Sequence, residues 1–314
     1  MENLFSIFLA VLPPFLLLGV GGLARAVGWL RSEADASLSM VTIRILYPCF
    51  IFFHILETEN SKIDESTLFI TGFGFISILL GFGLSWLISK IFQFHADVAK
   101  TFRFCSGIFN YGFIAIPVAL AFFQKEIVVH IIFFNLGVEI AIWSFGVLLL
   151  TADKLRLKGL LNPPAIAVIL AILIQYLGGK QLIPFFVWTV IELIGMCSIP
   201  MGLMLIGGSF YQLVGDFRFS TGYRTEIGSL IVRNLLFPSL ILLFIFYGFC
   251  PTDIPYLQEV LVVQAAMPAG IFAIVIVGNY GGDRVTAMRS IIVTMVASLL
   301  TLPMWLLIGM KVLP

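Results

Sequence analysis

Residues 110–117 read NYGFIAIP, and they interrupt what is otherwise one continuous apolar run. Proline lacks the N–H that the fourth carbonyl back requires, and its ring crowds the preceding turn; glycine contributes no packing and loosens a helix. Gly112 and Pro117 together therefore predict a broken helix. Irregular backbone at membrane depth survives only against protein or a wet cavity, which makes residues 110–117 a candidate cavity wall.

Composition sets the surroundings. Of 314 residues, 60% are apolar and 11% charged, whereas a soluble domain carries roughly 25% charged residues. So much apolar surface requires lipid as its solvent, and the fold class expected is an all-α integral membrane protein seated in the bilayer. A net charge of +1 and the absence of any basic run exclude a nucleic-acid partner. Cys49, Cys105, Cys197 and Cys250 are widely spaced with no CxxC, and His54, His95 and His130 share no ligand spacing. No metal or other cofactor is expected beyond a coupling ion. Residues 4–24 lack a basic leader and a cleavage site, so they read as a retained first span.

Crossing about 30 Å of hydrocarbon takes about 20 helical residues. Such runs lie near 4–24, 36–57, 67–92, 100–124, 128–151, 163–179, 185–211, 226–250, 255–281 and 287–310. Twelve Lys and Arg residues fall in the odd-numbered loops against Lys62, Lys125, Lys180 and Lys311 on the other side. The odd loops are therefore expected in the cytoplasm and both termini outside. Arg44 and Arg233 fall within spans.

Proline landmarks suggest a repeat. Pro13-Pro14 recurs as Pro163-Pro164, Pro48 as Pro200 and Pro117 as Pro268, at offsets of 150 to 152 residues. Five spans per half is odd, so the halves would be inverted: residues 1–151, a cytoplasmic hinge at 152–162, and residues 163–314. The partner of NYGFIAIP is then QAAMPAG (264–270), not the second NYG at Asn279, which reads as a glycine-terminated helix end. Matched breaks in corresponding spans point to a transporter's binding site. Proline favours the first helical turn, so Pro117 and Pro268 are each expected to open a half-helix whose positive end attracts an anion. Asn110, Tyr111, Gly112, Pro117, Gln264, Met267 and Pro268 are the substrate-site candidates.

An ionisable group inside a span costs at least ~2.5 kcal/mol and is a functional hypothesis by default. Glu139 lies one turn after Asn135 on the same helix face, a candidate site for a proton or Na+. Arg233, ahead of Pro238, is a candidate counter-ion to the substrate or to Glu139.

NYGFIAIP, IPMGLMLIGGS (199–209), VRNLLFP (232–238), QAAMPAG and NYGGD (279–283) together resemble the auxin efflux carrier family over the whole chain. The resemblance implies a fold similar to bile acid/sodium symporters, with spans 1, 2, 6 and 7 as a scaffold and the rest as a transport domain. It also implies crossing spans 4 and 9, an elevator-like motion, organic-anion transport and a homodimer. The segment around Asn135 and Glu139 departs from the general pattern and leaves the coupling ion open. Alternatives are an uncoupled carrier, a Na+-coupled bile-acid-like symporter, or a channel or receptor. An intramembrane enzyme would need HExxH, GxSxG or paired mid-span aspartates, which are absent.

Overall fold

The computed structural model describes residues 4–58, 65–151, 162–216 and 223–313. The chain begins with α1 (Leu4–Ala26), then α2 (Asp35–Val41) and α3 (Tyr47–Glu57) joined by a π-helical turn over Thr42–Leu46. After α4 (Glu65–Ile91), α5 (Ala96–Gly107) and α6 (Ala115–Phe122) flank the first break. A second π-turn, Ile142–Gly146, joins α7 (Ile127–Ala141) to α8 (Val147–Thr151). Next come α9 (Pro163–Leu177), α10 (Phe185–Met196) and α11 (Ser198–Asp216). A third π-turn, Ile231–Leu236, joins α12 (Arg224–Leu230) to α13 (Phe237–Phe246). The second break separates α14 (Leu257–Ala266) from α15 (Phe272–Tyr280), and α16 (Arg284–Val312) closes the chain.

Among the described residues there is no β-strand. Seven helical stretches among the described residues are long and apolar enough to cross a membrane, and Pro163–Leu177 and Leu257–Ala266 are shorter apolar helices. Large side chains such as Phe5, Leu23, Phe185 and Leu300 are exposed, as lipid-facing positions require. The chain is a multi-pass, all-helical membrane protein. The hinge expected at 152–162 lies outside the described residues apart from Asn162.

Small residues bring helices together where lipid gives no hydrophobic drive. A Cβ built on Gly207 of α11 would lie 1.9 Å from the Leu18 carbonyl oxygen of α1, and one on Gly137 of α7 1.8 Å from that of Thr71 in α4. Only glycine fits at either seam. α3 packs on α9 and α10, while α16 packs on α5, α12 and α14. Fewer contacts join the two sets: α1 meets α6 and α16, and α3 meets α7.

The π-turns have a local cause at two sites. Pro48 and Pro238 stand at the starts of α3 and α13 and cannot donate to the fourth carbonyl back, so the ladder widens before each. The carbonyl that Pro238 leaves open, that of Asn234, accepts instead from Trp305 Nε1 at 2.7 Å. Helix ends follow side-chain chemistry. Asn162 Oδ1 accepts from Ala165 N at 2.9 Å ahead of Pro163-Pro164, and Gly281, at φ 81°, ends α15 as the sequence suggests.

Candidate functional site

The two breaks meet. Asn110 N donates to the Pro268 carbonyl at 2.9 Å and Gly270 N to the Ile108 carbonyl at 3.0 Å, with Phe109 and Ala269 paired antiparallel between them. Two short extended segments thus satisfy one another's backbone groups where neither helix can. Thr294 Oγ1 from α16 accepts from Ala269 N at 3.2 Å. The pairing demands glycine at 270, because a Cβ there would sit 2.9 Å from the Phe109 carbonyl oxygen.

Pro117 lies in the first turn of α6, as expected. Pro268 does not open the other half-helix: α15 starts at Phe272. The bond from Gly270 N to Ile108 holds the backbone extended past the proline, and the helix resumes only beyond it.

Arg233 is 1% exposed. Its Nη2 donates to the Met267 carbonyl at 2.9 Å, where α14 ends and carries the negative end of its dipole. The guanidinium stacks between Phe109 and Phe237, 5.1 and 4.3 Å from their ring centroids. Among the described residues it forms no ion pair, and its Nε and Nη1 are buried without a partner. The structure therefore does not bring Arg233 to Glu139; the cation serves the crossing itself.

A second polar network begins at Gln264. Its Nε2 donates to the Tyr111 carbonyl at 3.1 Å and to Asn135 Oδ1 at 3.3 Å, tying the first break to α14 and α7. Tyr111 turns its hydroxyl to Glu139 Oε1 at 2.5 Å. Glu139 Oε2 accepts from Trp143 Nε1 at 2.7 Å and from Asn162 Nδ2 at 3.2 Å. A cavity of about 30 Å³ lies between Tyr47, Asn135, Glu139 and Asn162. Gly112 faces Tyr47, whose hydroxyl would be 3.5 Å from an added Cβ.

Pro117 also walls a larger cavity of about 870 Å³ whose apolar surface includes Phe50, Phe53, Ile199 and Pro200. Its polar members are His54, Glu57, Lys125 and Glu126. An opening of this size suits an organic molecule with an apolar body. The structure links residues that the sequence places in two separate candidate sets, Tyr111 and Gln264 of the substrate set with Asn135 and Glu139 of the coupling set. It adds Tyr47, Trp143 and Asn162, which the sequence reading missed. Trp143 lies one turn after Glu139, and Asn162 before a proline pair is a helix-cap signal; both were available. The cavity wall from α3 and α11 had no such mark.

The chain matches the model of a family described as membrane transport protein over residues 6–154 and 147–306. An uncharacterized transporter of Methanocaldococcus jannaschii is 27% identical over 303 residues, covering 94% of this chain and 96% of the relative. An uncharacterized transporter of Methanothermobacter thermautotrophicus is 24% identical over 307 residues with the same coverage. Spanning helices, paired breaks and a match along nearly the whole chain lead to one assignment: this protein belongs to the membrane transport protein family, the auxin efflux carrier-like group.

Proposed function

We propose that this chain is a secondary transporter of small organic anions, carboxylates of auxin-like or dicarboxylate type, and not an enzyme. The observation that carries this reading is the backbone pairing of Asn110 with Pro268, which fixes two half-helix ends at one crossing. Asn110, Tyr111, Gly112, Pro117, Gln264, Met267 and Pro268 surround the carboxylate, with Arg233 supplying fixed positive charge behind them. The 870 Å³ cavity accommodates the apolar body. Glu139 beside Asn135 is the coupling group, taking a proton or Na+, and its state biases alternating access through differential affinity.

In this reading the chain crosses ten times in two inverted halves, 1–151 and 163–314, joined by the hinge 152–162, with both termini outside the cell membrane. The α1–α11 and α3–α9–α10 packing supports a scaffold of spans 1, 2, 6 and 7. The α4–α7 seam and the packing around α16 support a body that moves against it as an elevator. The scaffold would pair in a homodimer.

A thermal-shift screen of the purified protein against organic acids, with and without Na+, tests the reading. Stabilisation by a subset of carboxylates is expected, and it should be lost in Asn110→Ala. Stabilisation by no acid at any pH would overturn it.

A further inference from the structure

Glu139 carries more structure than a coupling group needs. Its three partners come from three places: Tyr111 from the first break, Trp143 from the π-turn after α7, and Asn162 from the start of α9. In the scaffold reading, the last of these crosses the seam between the two bodies. Asn162 is bifunctional. Its Oδ1 caps α9 through Ala165 N at 2.9 Å, and its Nδ2 reaches Glu139 Oε2 at 3.2 Å. Because the oxygen is engaged by a backbone N–H, the amide cannot flip, and only its N–H₂ faces the carboxylate.

The donor inventory separates the two candidate ions. An indole N–H only donates, and the Asn162 amide is fixed as a donor, so Oε2 faces two N–H groups with no acceptor between them. Na+ requires a shell of oxygen ligands, which this side of Glu139 does not offer. A proton fits without rebuilding. Placed on Oε1, it is donated to Tyr111 Oη once that hydroxyl rotates, and Tyr111 changes from donor to acceptor.

The second oxygen then belongs to a neutral acid. Hydrogen bonds to an ionised acceptor are roughly twice as strong as those to a neutral one, so both N–H bonds to Oε2 weaken together. The bond from Asn162 is the longest of the three. It is also the one that leaves α7 for α9, whereas Trp143 stays on the same helical stretch as Glu139. The 30 Å³ cavity beside it holds about one water, and Tyr47 and Asn135 line it together with Glu139. The other titratable groups facing Glu139 are Tyr47 from α3 and Tyr111. Among the described residues no ion pair includes Glu139.

We propose that Asn162 is a positioning residue through which α9 reads the charge of Glu139: the carboxylate holds α9 against α7, and one proton releases it. This rests on the reading of Glu139 as the coupling group and names the proton as the coupling ion.

Electron spin resonance distances test it in full-length protein in vesicles. Nitroxides are placed at the exposed positions Ile140 of α7 and Ile166 of α9, with the four native cysteines replaced by alanine. The distance should lengthen between about pH 8 and about pH 3, a window that spans the ordinary glutamate value of about 4.3 on both sides. Glu139→Gln should give the long distance at both pH values. Asn162→Ser keeps an oxygen to cap α9 but removes the amide donor, and should also give the long distance at both with little change in Tm. A short distance in Asn162→Ser that still responds to pH would overturn the latch, as would a distance that follows Na+ and ignores pH. The acid screen separates the two readings. Carboxylate stabilisation with a pH-indifferent distance removes the latch alone, whereas a pH-dependent distance with no acid binding removes the transporter reading.

Discussion

Asn110 donates its backbone N–H to the carbonyl of Pro268 at 2.9 Å, so residues 158 positions apart in sequence close the same gap in the membrane. Each break supplies what the other lacks. The interruption is thereby made rigid, and a rigid crossing can present helix ends to a ligand.

The close approach at Gly270 gives a first expectation. A Cβ 2.9 Å from the Phe109 carbonyl oxygen forces the extended segments apart, so Gly270→Val should destabilise by about 1–3 kcal/mol, the range for overpacking. Gly83→Ala, where nothing lies within 4 Å, is the control. Thermal unfolding in detergent reads both, and equal Tm values would contradict the pairing.

Arg233 separates packing from charge. Arg233→Ala empties the slot between Phe109 and Phe237 and strands the Met267 carbonyl, and large-to-alanine changes cost about 2–5 kcal/mol in packing alone. Arg233→Met refills the slot and leaves the orphan carbonyl at about 1–3 kcal/mol. Tm should fall in the order wild type, Met, Ala. An Ala variant as stable as the Met variant would show that the stack contributes nothing.

The turn before Pro238 offers a coupled test. Trp305→Phe should cost about 1–3 kcal/mol because the Asn234 carbonyl loses its donor. Pro238→Ala restores a backbone N–H that can take over. The Trp305 penalty should then shrink in the Pro238→Ala background, and a double-mutant cycle measures the coupling directly. Strict additivity would refute the assigned role of the indole.

How much of this was legible in the sequence depends on which groups do the work. Prolines and glycines announce themselves, so both breaks and the glycine end at Gly281 could be read from residue identity. The pairing of residues 108–110 with 268–270 is made by backbone atoms and leaves no side-chain signature. That is why Pro268 looked like a helix start when the chain stays extended beyond it. Arg233 pointed to a carboxylate by charge alone, yet its partners are a carbonyl and two aromatic faces, which many residues could provide. Asn162 escapes a sequence reading in both its roles: the cap of α9 is signalled only by an asparagine ahead of a proline pair, and the bond to Glu139 depends on how the start of α9 is placed relative to α7.

The large cavity bears on substrate size. Ile199→Trp projects an indole into the space beside Pro117, and it should weaken binding of any stabilising acid by tenfold or more, about 1.4 kcal/mol. Tm without ligand should change little, since the space is open. Unchanged affinity in a titration of the same acid would place the substrate elsewhere.

Counterflow in proteoliposomes tests anion transport at the crossing most directly. Vesicles loaded with an acid that stabilises the protein should transiently concentrate the labelled acid from outside in a saturable way, and Asn110→Ala should abolish the overshoot. Flux that rises linearly with concentration without an overshoot, or an overshoot untouched by Asn110→Ala, would contradict a carrier whose site is the paired break.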